Sequence, residues 1–261
     1  VDYYPEHWEK ERWSVDADLM QKAGVNVVRL AEFAWSKLEP EDDVYDFDWL
    51  DEVMDILNKR GAKVILCTPT AAPPIWLIEK HPDVLPLLKN GQRMAFGARR
   101  HYCITNRDYY YYSERIIKKL AEHYRDNPQV IGWQVDNEFG NPKCYCNSCR
   151  KEFQHWLKLR YKTLENLNQS WGNAFWSHDY TCWDEIPLPI VDYHNPAFDL
   201  DFRRFFSDMT VKYSNMQIKI LKSAVTDKFI THNFMGLFPH LNYYELAKKY
   251  DFVSWDNYPQ N

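Results

Sequence analysis

No run in the sequence approaches the roughly 18 consecutive apolar residues that a membrane-spanning helix needs. The mean hydropathy of −0.61 is likewise not that of a membrane protein. Positive charge is not in excess either: 32 Lys and Arg against 37 Asp and Glu leave a net charge of −5 and a pI near 6.0. Without a positive field to displace phosphate counterions, nucleic acid is disfavoured as a partner. No G-x-G-x-x-G turn occurs in the 261 residues, which argues against a dinucleotide-binding doubly wound sheet. No secretory leader is visible, and we find no internal repeat and no low-complexity segment. The opening Val1 lies inside an extended-looking segment and reads as a trimmed start.

What is present is a large apolar inventory, 45% of residues, enough for one sizeable domain of 31.4 kDa. Short β-branched runs alternate with longer helical patterns. "VNVVRL" (25–30), "AKVILCT" (62–68), "VIGWQV" (130–135), "KFITHNF" (228–234) and "FVSWDNY" (252–258) read as strands. Helices are expected over 15–23, 47–61, 107–125, 200–223 and 243–249, several of them closed by Gly or Asn-Pro. Strands apolar along their length and separated by helices imply a parallel sheet covered by helices. The favoured architecture is α/β, a (β/α)8 TIM barrel over residues 1–261. Counting "VDYYP" as the first strand gives about six, so the last one or two βα units are expected to lie beyond residue 261. Residues 139–195, with clustered cysteines and tryptophans, break the rhythm and read as an excursion after the fourth strand.

In a barrel, chemistry gathers at the C-terminal ends of the strands. Those ends read "YYPEHW", "RLAEFAW", "CTPTAAPPIW", "QVDNEFG", "THNFMG" and "SWDNYP". Each carries carboxylates, amides, hydroxyls, imidazole or indole. Aromatics make up 16% of the chain, with 11 Trp and 18 Tyr, more than a core demands. A sugar offers an apolar C–H face to such rings and hydroxyls to bidentate side chains. Glycoside cleavage needs two carboxyl groups across the scissile bond. Glu138 is the candidate proton donor, with Asn137 beside it as an amide able to bond a sugar hydroxyl; the plainer alternative is an exposed loop glutamate. His7, His101 and His232 lie near strand ends and are better read as hydrogen-bonded structural residues.

Cys144, Cys146 and Cys149 form C-x-C-x2-C, three soft ligands in one loop. A closed tetrahedral zinc site needs a fourth, and Cys103 in "HYC" supplies it. Free thiols, a disulfide and an iron–sulfur cluster are the alternatives. Cys67 and Cys182 lack partners and read as small buried hydrophobes.

Taken in order, "DYYPEHW", "RLAEFAWSKLEP", "TPTAAPPIWL", "RRHYC", "WQVDNEFG", the C-x-C-x2-C run, "WGNAFWS" and "SWDNYP" resemble glycoside hydrolase family 42, the bacterial β-galactosidases. The resemblance runs from Tyr3 to Pro259. It implies a barrel catalytic domain that hydrolyses terminal β-D-galactosyl residues with retention, with Glu138 as general acid/base and Asn137 holding the 2-hydroxyl. It further implies that Arg99 binds substrate, that Trp176 forms the aromatic wall of the galactose subsite, and that Tyr258 faces the nucleophile. It matches Cys103, Cys144, Cys146 and Cys149 as structural zinc ligands, and suggests a β-galactoside or galacto-oligosaccharide substrate and a homotrimeric full-length form. The family's nucleophile is a second Glu after the seventh strand, so this chain is expected to carry half of the pair and to be inactive by itself. The other carboxylates are weaker candidates: Glu32 reads as pocket support, Glu245 as a surface residue, and Asp256 as a strand-end group without a known separation from Glu138. Free thiols without a leader point to the cytoplasm. The competing readings are a catalytically inert sugar-binding barrel, a related glycosidase acting on another sugar, and a zinc-clipped interaction module.

Overall fold

A computed structural model describes residues 1–191 and 195–258. Residues 192–194 of the expected excursion and Pro259 of the last motif lie outside the described residues. Four parallel strands form the central sheet in the order β1 (Val27–Leu30), β2 (Lys63–Cys67), β3 (Val130–Gln134) and β4 (Phe229–Thr231). The chain continues from β4 into β5 (Asn233–Phe234), which pairs in parallel with β6 (Ser254–Trp255). At the other edge Asp2 makes a parallel bridge to Arg29, so the opening segment runs beside β1. Six strand positions therefore follow one another in sequence order, the progression of a (β/α)8 barrel.

The helices cover the outside. They are α1 (Lys10–Lys22), α2 (Trp35–Leu38), α3 (Asp48–Asn58), α4 (Ile75–Lys80), α5 (Arg107–His123), α6 (Asn147–Tyr161), α7 (Leu164–Trp171), α8 (Pro196–Ala224) and α9 (Tyr243–Ala247). In α3, Leu50, Val53, Met54 and Leu57 are buried and the intervening positions face outward, as the 3.6-residue period requires. In α5, Asn106 caps the first turn through its side chain. The tyrosine run of this helix splits around the axis: Tyr109 and Tyr112 are buried while Tyr111 is exposed. α5 and α8 pack together through the stacked and edge-on rings of Tyr109, Tyr110 and Tyr213.

Strand pleating sorts the sheet into two faces. Val28, Leu30, Val64, Leu66, Trp133 and Ile230 lie on one face and are buried. Arg29, Cys67, Gln134 and Thr231 share the opposite, inner face. Gly132 is required where β3 meets β4, since a Cβ there would lie 2.2 Å from the Phe229 ring.

Three expectations differ from the observed elements. α1 begins at Lys10, five residues before the expected start, because its first turn is polar and carries no apolar period. The strand expected over 228–234 is interrupted at His232, whose ring reaches to neighbouring backbone instead of leaving a regular ladder. Cys182 is exposed beside a short 3-10 turn and is not a buried hydrophobe.

Candidate active site

Just past β3 the backbone takes an unusual path. Asp136 and Glu138 both have left-handed φ, +52° and +43°, and Ala31 just past β1 and Arg100 in the loop before α5 do the same. Such conformations cost a non-glycine residue roughly 1 kcal/mol or more and persist where the surroundings dictate them. Here the surroundings are a buried polar network. Asp136 is fully buried and accepts from the Thr70 hydroxyl at 2.5 Å, the Tyr102 hydroxyl at 3.2 Å and the Asn137 N–H at 2.7 Å. Its own N–H donates to Thr68 Oγ1 at 2.7 Å, and that hydroxyl donates to Gln217 of α8 at 2.6 Å. Burial lifts the Asp136 carboxyl to about 6, against the lowering effect of these donors.

This turn delivers Glu138 to the C-terminal end of the sheet, 9% exposed. Its Oε2 pairs with Arg99 Nη2 at 2.8 Å, and Arg100 donates to its carbonyl oxygen. Arg99 in turn lies over the Phe33 ring at 5.8 Å. Phe33 stacks on Tyr4, and Tyr4 on His7. Burial alone would raise the Glu138 carboxyl, but the hydrogen bond with Asp256 and the charges of Arg99 and Arg100 outweigh it and hold the group below the ordinary glutamate range. Asp256 moves the opposite way: burial and the adjacent Glu138 carboxylate push it up to about 6.

Asn137, 2% exposed, accepts from Asn233 Nδ2 at 2.8 Å, while its own Nδ2 is buried with no hydrogen-bond partner. Deeper on the inner face, Arg29 pairs with Glu32 at 2.9 Å and donates to Gln134 at 2.8 Å; Tyr4 donates to the other Glu32 oxygen. Glu32 is thus a buried structural partner, its carboxyl raised by burial. Glu245 is on the surface, paired with Lys248 at 2.6 Å.

His232 is buried against Phe139 in a stacked arrangement 4.6 Å between ring centres. Its Nε2 accepts the Phe139 N–H at 3.2 Å, so Nδ1 carries the proton and donates to the Val135 carbonyl at 2.7 Å. Burial holds this imidazole down at about 4, against the Val135 bond. A histidine depressed in the fold contributes stability that is full above its unfolded value near 6.5 and is lost as pH falls through the window to about 4. Asp136 and Asp256, both raised, act in the opposite sense over part of that window. We therefore expect the stability advantage of the wild type over His232→Asn to shrink by up to about 3 kcal/mol between pH 7 and pH 4. Urea unfolding of both proteins at several pH values measures it, and a constant difference would refute the neutral, doubly bonded imidazole.

Glu138, Asn137 and Arg99 are therefore brought together. Trp176 and Tyr258 are not joined to them by any hydrogen bond among the described residues. Trp176 is 75% exposed, in left-handed backbone and stacked on Phe175, and Tyr258 is 81% exposed beyond β6. Asp256, a weaker candidate in the sequence, lies against Glu138, whereas Asn233 and the Asp136 network have no sequence signal strong enough to mark them as site residues. "THN" and "WDN" at strand ends were the available signal, but sequence alone does not say that the two amides and the two carboxyls meet.

The cysteines gather between the loop before α5 and the start of α6. The four sulfurs of Cys103, Cys144, Cys146 and Cys149 lie within 4.8 Å of one another, with Cys103 3.7 Å from Cys146 and 3.5 Å from Cys149. A tetrahedral ion with bonds of about 2.3 Å to sulfur places its ligands roughly 3.8 Å apart, so the four thiols fit one metal ion. The Leu87 N–H donates to Cys144 Sγ at 3.3 Å and the Cys149 N–H to Cys146 Sγ at 3.5 Å, the outer contacts that orient thiolate ligands. An all-sulfur set with no open position serves structure and not catalysis.

Comparison with known proteins bears on the chain as a whole. The chain is 47% identical to "Beta-galactosidase BgaA" of Thermus sp over 264 residues, covering 99% of this chain and 41% of the relative. It is 44% identical to "Beta-galactosidase Bga" of Halorubrum lacusprofundi, covering 99% and 38%. The chain thus spans about two fifths of the length of these relatives. Among solved structures, the β-galactosidase of the psychrophilic Marinomonas ef1 superposes with a TM-score of 0.96 at 42% identity, over 99% of this chain and 40% of that one. The catalytic domain of a Paenibacillus polymyxa β-amylase, at 13% identity and a TM-score of 0.67, shares the fold alone. The family model described as beta-galactosidase, glycoside hydrolase family 42, matches residues 2–261, and the chain belongs to that family.

Proposed function

We propose that the protein bearing this chain is a retaining β-galactosidase that removes terminal non-reducing β-D-galactosyl residues, with Glu138 as general acid/base. The observation that supports this most is the joint placement of the Glu138 carboxyl, the Arg99 guanidinium 2.8 Å from it, and the unpaired Asn137 N–H at one end of a parallel sheet. In this reading Asn137 donates to the sugar 2-hydroxyl and Arg99 binds a second sugar oxygen, displacing its ion pair with Glu138. Trp176 and Tyr258 complete the sugar-binding wall.

Asp256 is not the nucleophile in this scheme. Its carboxyl touches that of Glu138, whereas a retaining pair stands about 5 to 5.5 Å apart to admit the anomeric carbon. The nucleophile is a carboxylate supplied from the further length that the relatives possess. Its negative charge would also raise the Glu138 carboxyl toward the value a proton donor needs. The four cysteines hold a structural zinc ion, whose chemistry is confined to fixing the loop between Glu138 and α6. The substrate is a β-galactoside or galacto-oligosaccharide, the compartment the cytoplasm, and the full-length assembly a homotrimer.

The test is to incubate the full-length protein with a nitrophenyl β-D-galactoside and follow the anomeric proton of the released sugar by NMR. β-Galactose should appear first and then mutarotate. Initial α-galactose, or the absence of turnover in the full-length protein, would overturn the proposal. The 261-residue chain alone should bind galactose weakly and leave the glycoside intact. Robust turnover by that chain, abolished by Asp256→Ala, would place the second carboxylate within it.

A further inference from the structure

One side chain outside the expected set bonds both Asn137 and the backbone of Glu138. Asn233 opens β5 and is 2% exposed. Its amide is fully engaged: Oδ1 accepts the Glu138 backbone N–H at 3.0 Å, and Nδ2 donates to Asn137 Oδ1 at 2.8 Å and to Asp256 Oδ2 at 3.0 Å. The oxygen and nitrogen of an amide are interchangeable in shape, so only hydrogen bonding can tell them apart. Here the assignment starts from a backbone N–H, which can only donate. The Asn233 atom facing Glu138 must therefore be the oxygen, and the atom facing Asn137 must be the NH2 group. Asn137 in turn must present its oxygen to Asn233 and its own NH2 away from it. That NH2 is the buried donor left without a partner.

We propose that Asn233 is a positioning residue that fixes the orientation of the Asn137 amide, so that the side of Asn137 turned away from Asn233 offers a ligand an N–H donor and not a carbonyl. An unpaired buried donor is costly, and a ligand oxygen relieves it. The site is therefore biased toward a ligand with an acceptor at this point, and a hydroxyl qualifies where a C–H does not. Asp256 supports the arrangement from β6, since its oxygen accepts the second Asn233 hydrogen. Three strand ends thus decide the polarity of one amide.

This inference rests on the reading of Asn137 as the holder of the 2-hydroxyl, and the experiment separates the two. In the full-length protein, kcat/KM is measured for a nitrophenyl β-galactoside and its 2-deoxy analogue, in wild type, Asn137→Ala, Asn233→Ala, Asn233→Asp and the double variant Asn137→Ala/Asn233→Ala. Asn233→Asp keeps an oxygen for the Glu138 N–H while removing the donor to Asn137. The preference for the 2-hydroxy substrate should fall roughly tenfold in every single variant, about the worth of one neutral hydrogen bond, and no further in the double variant. A merely structural role would slow both substrates alike; an unchanged ratio in both Asn233 variants overturns the proposal. A wild type that does not distinguish the two substrates would refute the 2-hydroxyl reading instead. The amide orientation is read independently by neutron diffraction on the unliganded protein: deuterons on the Asn137 atom that faces Asn233 would overturn the proposal whatever the activity.

Discussion

Glu138→Gln in the full-length protein should lower kcat/KM on a galactoside with a poor leaving group, such as an alkyl galactoside or lactose, by about 10³-fold. General acid catalysis is worth typically 10² to 10⁴, and the amide cannot supply the proton. The loss should depend on the leaving group. A dinitrophenolate departs without protonation, so formation of the glycosyl-enzyme from that substrate should be nearly unimpaired, while its hydrolysis slows for want of a base. A burst of dinitrophenol followed by a slow steady state is the expected trace, and added azide should restore turnover because an anionic nucleophile needs no deprotonation. An equal loss across all leaving groups would mean that Glu138 serves binding or structure. Arg99 adds a control. It lies 2.8 Å from Glu138 and helps to hold its carboxyl down, so Arg99→Ala should weaken substrate binding yet leave the leaving-group dependence intact.

The second large effect concerns the four cysteines. Binding energies for structural zinc in small peptides reach about 10 to 16 kcal/mol at neutral pH, and such energy becomes folding energy where the site forms only in the folded chain. In a domain this size the core persists without the ion, so the effect should be regional. Cys149→Ser, or prolonged exposure to a strong chelator, should release one equivalent of zinc and loosen the stretch that runs from Gly140 into α6. Hydrogen exchange should rise there, by several orders of magnitude at the most protected amides, with little change in β1 and β2. Less than one equivalent of metal in the native protein, with four titratable thiols, would remove the zinc assignment. Loosening the loop should also reach Glu138, since Phe139 and Asn141 lie between it and Cys144, and Asn141 donates to the Tyr102 carbonyl at 3.4 Å.

How far the sequence foretells this molecule depends on the range of the forces involved. "VNVVRL" and "AKVILCT" announce themselves because an apolar run between helix stops has few other uses, and β1 and β2 fall within them. The cysteine spacing is equally local, and Cys103 is found because its loop carries one soft ligand. Burial of Asp136 is not local at all. Its partners Thr70 and Tyr102 are 66 and 34 residues away, and Gln217 behind them belongs to α8. No pattern in "WQVDNEFG" says which of its four polar residues points into the barrel wall and which toward the end of the sheet. The same limit hides Asn233 and Asp256, which reach Asn137 and Glu138 across 96 residues or more. Trp176 shows the converse case. Its motif resembles the family's, yet the side chain stands 75% exposed, because exposure is decided by the tertiary path of the segment around it.

The left-handed turn at Glu138 carries a cost of its own. The proposed proton donor stands at a φ of +43°, where an ordinary side chain crowds the backbone and glycine would not. Screening variants for heat tolerance alone would thus reward glycine at position 138, gaining ruggedness while discarding the proposed proton donor, and thermostabilised libraries of this scaffold need an activity gate at every round.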